Sequence, residues 1–457
     1  LDCPIRSISI DIFNKLIGED KLAIEVGIIA VAFFAALAWG GNENWAIALI
    51  TIVAMAGSAV FIIRRVHEER KKPKWQLPYA PLVAFLIYAS VGLIIGKYKI
   101  LGSKSIWETV DSSSAIVYLL LILSCAAIIF LTANEFRSRR HVKLLAIAII
   151  VLGTLEAAYG LVQYLGDYDY IWQFKRGISP ALATGTFINR NHYALLLNLC
   201  ICIGIGYLNY RAHRLVEGCQ FSWRAALSAP GSPKLIWMLS WLIIMGVSLV
   251  FSMSRMGIAA MVASLSAILF VSITQQVGFK ITTMGLLLLI AVIGLAFYIG
   301  VDAVLVRYES LALEQAISQD RPALWRDAWK MAREFPLCGQ GLGTFQWTYP
   351  AYQTVNPDQP ARYAHNDYLQ LLMETGIIGL GFILWLFASV WRIAMRNLRN
   401  DRDPLVRGIG LGTIGALTAI ALQEITDFGL YIPGVAVLAA LIVGLNLRAR
   451  LLALEST

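Results

Sequence analysis

Apolar runs of about 20 residues, the length a helix needs to cross a bilayer, recur along the whole chain. They fall near 23–39, 45–63, 80–96, 115–133, 144–165, 191–209, 235–252, 257–274, 281–300, 369–391, 406–424 and 432–447. A soluble core cannot absorb so many. The chain of 457 residues is 58% hydrophobic and only 15% charged, with a mean hydropathy of +0.66, which lies outside the soluble range. The runs predict an all-α polytopic membrane protein with about twelve transmembrane helices.

Basic residues mark the cytoplasmic side of such a protein. With the N-terminus inside, 25 of the 38 lysines and arginines fall in cytoplasmic segments, six of them in "RRVHEERKKPK". Both termini are therefore expected in the cytoplasm. The net charge of +9 follows from this topology and from contact with anionic lipid, so it gives no reason to expect a nucleic-acid partner. The first apolar run reads as a retained anchor rather than a signal peptide. Of six cysteines, only Cys338 is expected in an outer loop, and none has zinc-like spacing. The organisation expected is nine spans over 1–300, an outer loop over 301–367, and three spans over 368–457.

Within the loop, "SQDRPALWRDAWKMAREFP" has Asp320 then Pro322 to start a helix, an apolar stripe at Leu324, Trp325, Ala328, Trp329 and Ala332, and Pro336 to stop it. The pattern predicts an amphipathic helix on the membrane surface or on the span bundle. The "GQGLG" after it has neither the lysine of a P-loop nor a preceding strand, and reads as a tight turn. Polar signals gather on the same outer face: Arg190 and His192 in "GTFINRNHYA", Arg255 in "SMSRMG", and Arg321. One arginine at a membrane boundary is as well explained by snorkelling to headgroups. Several beside helix ends could together hold a diphosphate.

Residues 362–376, "RYAHNDYLQLLMETG", place His365 where this loop becomes an apolar helix. Asp367 and Gln370 suggest a capping box, so the helix should start just after the histidine. The positive end of a helix disfavours imidazolium, which leaves a neutral ring able to accept a proton. That suits a general base, although a hydrogen-bonded cap or a headgroup contact would look the same.

Taken together, "SRMG", "DRPALWRDAWKMAREFPLCGQGLGTF" and "AHNDYLQLLMETGIIG" resemble the bacterial O-antigen ligase family, which also holds O-antigen and exopolysaccharide polymerases. "GTFINRNHYA" and "LQEITDFGLYIPG" extend the resemblance. It implies a C-type glycosyltransferase (GT-C) fold in the bacterial inner membrane, with the active site facing the periplasm. It also implies a reaction: a glycan passes from undecaprenyl diphosphate to an acceptor hydroxyl without a metal or other cofactor. In a ligase the acceptor is a lipid A-core sugar; in a polymerase it is a growing glycan. By motif, His365 would be catalytic, and Arg255 and Arg321 would hold the donor diphosphate; Arg190 joins them as a diphosphate holder from its helix-end position.

The residues are consistent with that chemistry, since charge growing on a departing diphosphate must be met by a metal or by fixed cations. Asp167 and Asp169 in "DYD" are the close outer carboxylates; a solvated loop explains them better than a metal site. Glu374, Glu424 and Asp427 lie in or beside spans and are either supporting groups or partners of arginines. His192 is another possible support, while Glu25 and Glu156 read as structural. A flippase would also have about twelve spans, but should show two related halves and broken mid-membrane helices. No convincing repeat is visible.

Overall fold

The computed structural model describes residues 23–67, 78–96, 111–176, 182–215, 232–275, 290, 294, 321–355, 361–400 and 403–455. Among them the long helices are α2 (Asn44–His67), α3 (Tyr79–Gly96), α4 (Ser112–Glu135), α5 (Arg139–Leu165), α6 (Arg190–Leu215), α7 (Ser232–Phe251), α8 (Arg255–Thr274), α11 (Asp367–Leu398), α12 (Pro404–Gln423) and α13 (Pro433–Glu455). A shorter apolar helix, α1 (Ala23–Leu37), precedes them. Nine of the described helices are long and apolar enough to cross a membrane, and two shorter apolar ones stand at Ala23–Leu37 and Tyr79–Ile94. Eleven of the expected spans thus have a helix in place. The expected span at 281–300 lies outside the described residues, apart from two isolated positions. The chain is an all-α multi-pass membrane protein; its only described sheet is a hairpin pairing Tyr170–Ile171 with Phe174–Lys175.

Helix α6 is the axis of the bundle, with its whole apolar window buried and α5, α7, α8, α12 and α13 packed around it. Lipid tails are as apolar as leucine, so close packing rather than escape from water must hold such a helix. Small residues permit it: a Cβ on Gly206 would strike the backbone of Gly408 and Gly412 across the contact with α12. Asn198 Nδ2 adds a bond of 2.9 Å to the Gly257 carbonyl on α8, a contact worth about 0.6 kcal/mol in a membrane.

The bundle has two polar ends. One carries Arg64 paired with Glu135, Arg139 with Asp403 at 2.9 Å, His141 with Glu25 at 2.7 Å, and Arg448 donating to the Arg137 carbonyl at 2.6 Å. The starts of α4, α6, α8, α11 and α13 and the ends of α5, α7 and α12 meet at the other. There Glu156 accepts from the Thr186 N–H at 2.9 Å and its hydroxyl at 2.6 Å, fixing the segment before α6. Glu25 and Glu156 are accordingly structural, as expected.

Helix α11 is broken at Gly376, whose φ of 65° and ψ of −173° are open to glycine alone. The segment 336–343 fills the break. Gln340 and Gly341 N–H donate to the Met373 and Glu374 carbonyls at 2.9 Å, and Ile377 N–H donates to the Pro336 carbonyl at 2.9 Å. The "GQGLG" expected as a simple turn is therefore the part that enters a membrane helix, with Gly339, Gly341 and Gly343 all at positive φ. Non-helical backbone at this depth is tolerated because it is enclosed in protein.

Candidate active site

The site is assembled at the end where α6, α8 and α11 begin. Helix α9 (Arg321–Glu334) starts one residue after Asp320, which lies outside the described residues, and ends before Pro336 as expected. It packs on the bundle through Ala328, Met331 and Ala332, which form a small core with Phe345 of the short helix α10 (Phe345–Thr348) and with Tyr349, Ala364 and Met373. The buried stripe is rotated from the expected one. Trp329 is exposed, whereas Asp327 is fully buried because it accepts from the Thr354 N–H at 2.9 Å and hydroxyl at 2.6 Å and from Lys330 at 3.0 Å.

Two bonds from α9 position the neighbours of the site. Trp325 Nε1 donates to the Ala364 carbonyl at 2.9 Å, just before His365. Arg321 Nη1 donates to the Thr426 carbonyl at 3.0 Å, just before Asp427. His365 has a φ of 49°, a strained value for a side chain with a Cβ and of a kind that collects at functional sites. It is held between Ala364, whose N–H donates to Gln370 Oε1 at 2.9 Å, and Asn366, whose side chain accepts from the Leu369 N–H at 2.9 Å. The expected capping box is thus corrected by one residue. Asn366 is the cap, and the Asp367 carboxyl turns instead to the Leu430 N–H at 3.2 Å.

Phe428 joins the two histidines. Its ring lies 4.9 Å from His365 and 4.6 Å from His192, both edge-on, and stacks on Tyr363 at 4.0 Å. His192 is buried on the first turn of α6, with Nε2 3.5 Å from Asp427 Oδ1. His365 Nδ1 is buried and makes no hydrogen bond, while the residue as a whole keeps partial exposure. Burial first, and then the Arg321 guanidinium, push the His365 imidazole down to about 4. Both causes favour the neutral ring, and the larger is desolvation rather than the helix end on which the sequence reading relied. Burial alone would raise Asp427; the His192 and His365 imidazoles and the Phe428 N–H outweigh it and hold the carboxyl below its usual range.

Arg190 and Arg255 are the first residues of α6 and α8. Their neighbours tie the two helix starts together, Ser254 Oγ donating to Asn191 Oδ1 at 2.8 Å and Gln423 Nε2 to the Asn191 carbonyl at 2.6 Å. Three arginines from distant segments thus stand at one end of the bundle with both histidines. The other expected supports divide. Asp427 joins the histidines, whereas Glu374 is committed to structure: it accepts from the Gly343 N–H and the Tyr431 hydroxyl, both at 2.8 Å, and from Gln370 at 3.1 Å. Glu424 accepts from the Gly429 N–H at 2.7 Å and shapes the turn that carries Asp427. Asp169 is engaged by Arg176 Nε at 3.1 Å, which accounts for half of "DYD". Among the described residues, no group of three His, Cys, Asp or Glu side chains is placed to hold a metal ion. The sequence reading missed Tyr363, Phe428 and the contact of Asp367 with Glu424. Their one signal was that "AHNDY" and "EITDF" both put acids beside aromatics at span ends.

A polytopic helical membrane protein with arginines and a neutral histidine gathered at one polar end is the class that fold and site define. Residues 241–386, about a third of the chain, match the family model described as O-antigen ligase. The matched segment holds Arg255, Arg321, His365 and Glu374; Arg190, His192, Glu424 and Asp427 are supplied from outside it. No curated protein matches the chain.

Proposed function

We propose that the protein transfers a glycan from an undecaprenyl diphosphate-linked donor to an acceptor hydroxyl at the periplasmic face of the inner membrane, as an O-antigen ligase acting on lipid A-core. The observation that carries the reading is a partly exposed His365, favoured in its neutral form by burial and by Arg321, at the bundle end where Arg190 and Arg255 also start helices. With Nδ1 buried, His365 Nε2 takes the hydroxyl proton as the acceptor oxygen bonds to the sugar C1. The C1–O bond to the diphosphate breaks, its electron pair stays on the diphosphate, and the arginines meet that charge. Asp427 stabilises the imidazolium until its proton returns to water. The basic end of the bundle faces the cytoplasm in this reading.

Deleting the gene tests it. A ligase deletion leaves lipid A-core without its glycan while long lipid-linked glycan accumulates. Core carrying a single repeat would assign the chain to the polymerases of the family. Unchanged glycan on core and unchanged chain length would refute transfer altogether.

A further inference from the structure

Asp367 and Glu424 are buried, 7% and 1% exposed, and neither is a base or a phosphate holder in the proposed reaction. Their backbones are joined by the Asp367 N–H to Glu424 carbonyl bond of 3.0 Å, and their carboxyl groups lie against each other. One oxygen of each has an ordinary donor: Asp367 Oδ2 accepts from the Leu430 N–H at 3.2 Å, and Glu424 Oε2 from the Gly429 N–H at 2.7 Å. The remaining two, Asp367 Oδ1 and Glu424 Oε1, are buried without any donor.

Two carboxylates cannot both stay ionised in dry contact, and a single proton between them would satisfy both orphaned oxygens. The surroundings favour retaining that proton. The groups facing the pair are the carboxyls of Asp427 and Glu374 and the hydroxyls of Tyr363, Tyr368, Tyr431 and Tyr118. Arg321 donates to the Thr426 carbonyl rather than to either carboxyl, and the His192 imidazole lies against Asp427. Burial first, and then Asp367, hold the Glu424 carboxyl well above the usual carboxylate range.

We infer that Asp367 and Glu424 share one proton and act as a clasp that positions the general base, a role that rests on the transferase reading. Asp367 is two residues after His365, and Glu424 is three before Asp427, so the clasp sets how the base meets its carboxylate. Loss of the shared proton at high pH places two repelling charges at that joint and should produce an alkaline limb in the transfer rate.

The test combines infrared spectroscopy with pH profiles on the full-length protein in detergent, after thermal unfolding has shown each variant folded. Wild type at neutral pH should show the carbonyl stretch of a protonated carboxyl that disappears in both Glu424→Gln and Asp367→Asn. Glu424→Ala leaves Asp367 Oδ1 without a partner and should lower transfer about tenfold or more. Glu424→Gln, whose amide donates at every pH, should recover much of that loss and shift or abolish the alkaline limb. No such band in wild type, its survival in both amide variants, or an alkaline limb identical in wild type and Glu424→Gln would each overturn the clasp. If the band is lost as expected but wild type transfers nothing, the shared proton stands and the positioning role falls with the transferase reading.

Discussion

Arg321 reaches the Thr426 carbonyl with one nitrogen, which leaves the rest of its guanidinium fork for a ligand. Lysine keeps the charge but cannot grip phosphate oxygens in parallel. Arg321→Lys is expected to lower transfer about ten- to a hundredfold, the scale of one charge-assisted contact, at unchanged expression; a normal rate would mean that the arginine only anchors the turn. His365 carries the pH dependence. Its imidazole is pushed down to about 4, so the neutral, competent form dominates above that pH and is lost below it. The rate should be flat through neutrality and fall only as pH drops through about 4; a midpoint near 6.5, the reference for free histidine, would show that the ring is solvated. Residues inside contiguous motifs, such as His365 and Arg321, were legible in the sequence. Asp427 was legible only as an acid beside a span. Its meeting with His192 crosses a gap between distant segments that no local spacing encodes. The cap moved from Asp367 to Asn366 for the same reason: both residues can cap, and the distant Leu430 N–H draws the Asp367 carboxyl away.

Helix α11 shows what periodicity hides. Its apolar pattern continues on both sides of Gly376, so the sequence reads as one span, while the break exists to admit the 336–343 segment. A Cβ at Gly376 would meet the Leu337 and Cys338 backbone, and its φ of 65° suits glycine alone. Gly376→Ala should therefore cost more than the roughly 1 to 3 kcal/mol of backbone strain, seen as a lower thermal midpoint and poor expression. Gly381→Ala, on the same helix with nothing near its Cβ, should be tolerated. Equal behaviour of the two variants would show that the break is not a structural requirement. In α9 the helix limits were legible from Pro322 and Pro336, but its buried face was not, because Asp327 is drawn inward by Thr354 in a later segment. Apolarity alone pointed to Trp329 instead.

Apolar length and hydropathy mark spans along the chain without any contact, which is why the polytopic helical class was readable. The convergence of helix starts at one end was readable too, since short links alternate ends. What the chain could not display is which segments surround α6, because its glycine contacts with α12 join residues some two hundred apart. Topology has its own test. A cysteine at Ala351 should react with a membrane-impermeant maleimide once the outer membrane is opened, and one at Arg140 on the opposite end should not. Equal labelling would contradict the orientation on which the periplasmic reaction depends. Most direct is a comparison of purified wild type and His365→Ala in detergent, given lipid-linked donor and lipid A-core with no membrane gradient. Wild type should form glycosylated core, and the variant should bind donor equally while transferring about 10² to 10⁴ times more slowly, the usual contribution of a positioned base. Equal rates in the two proteins, or no product from wild type, would contradict a transferase that works through His365.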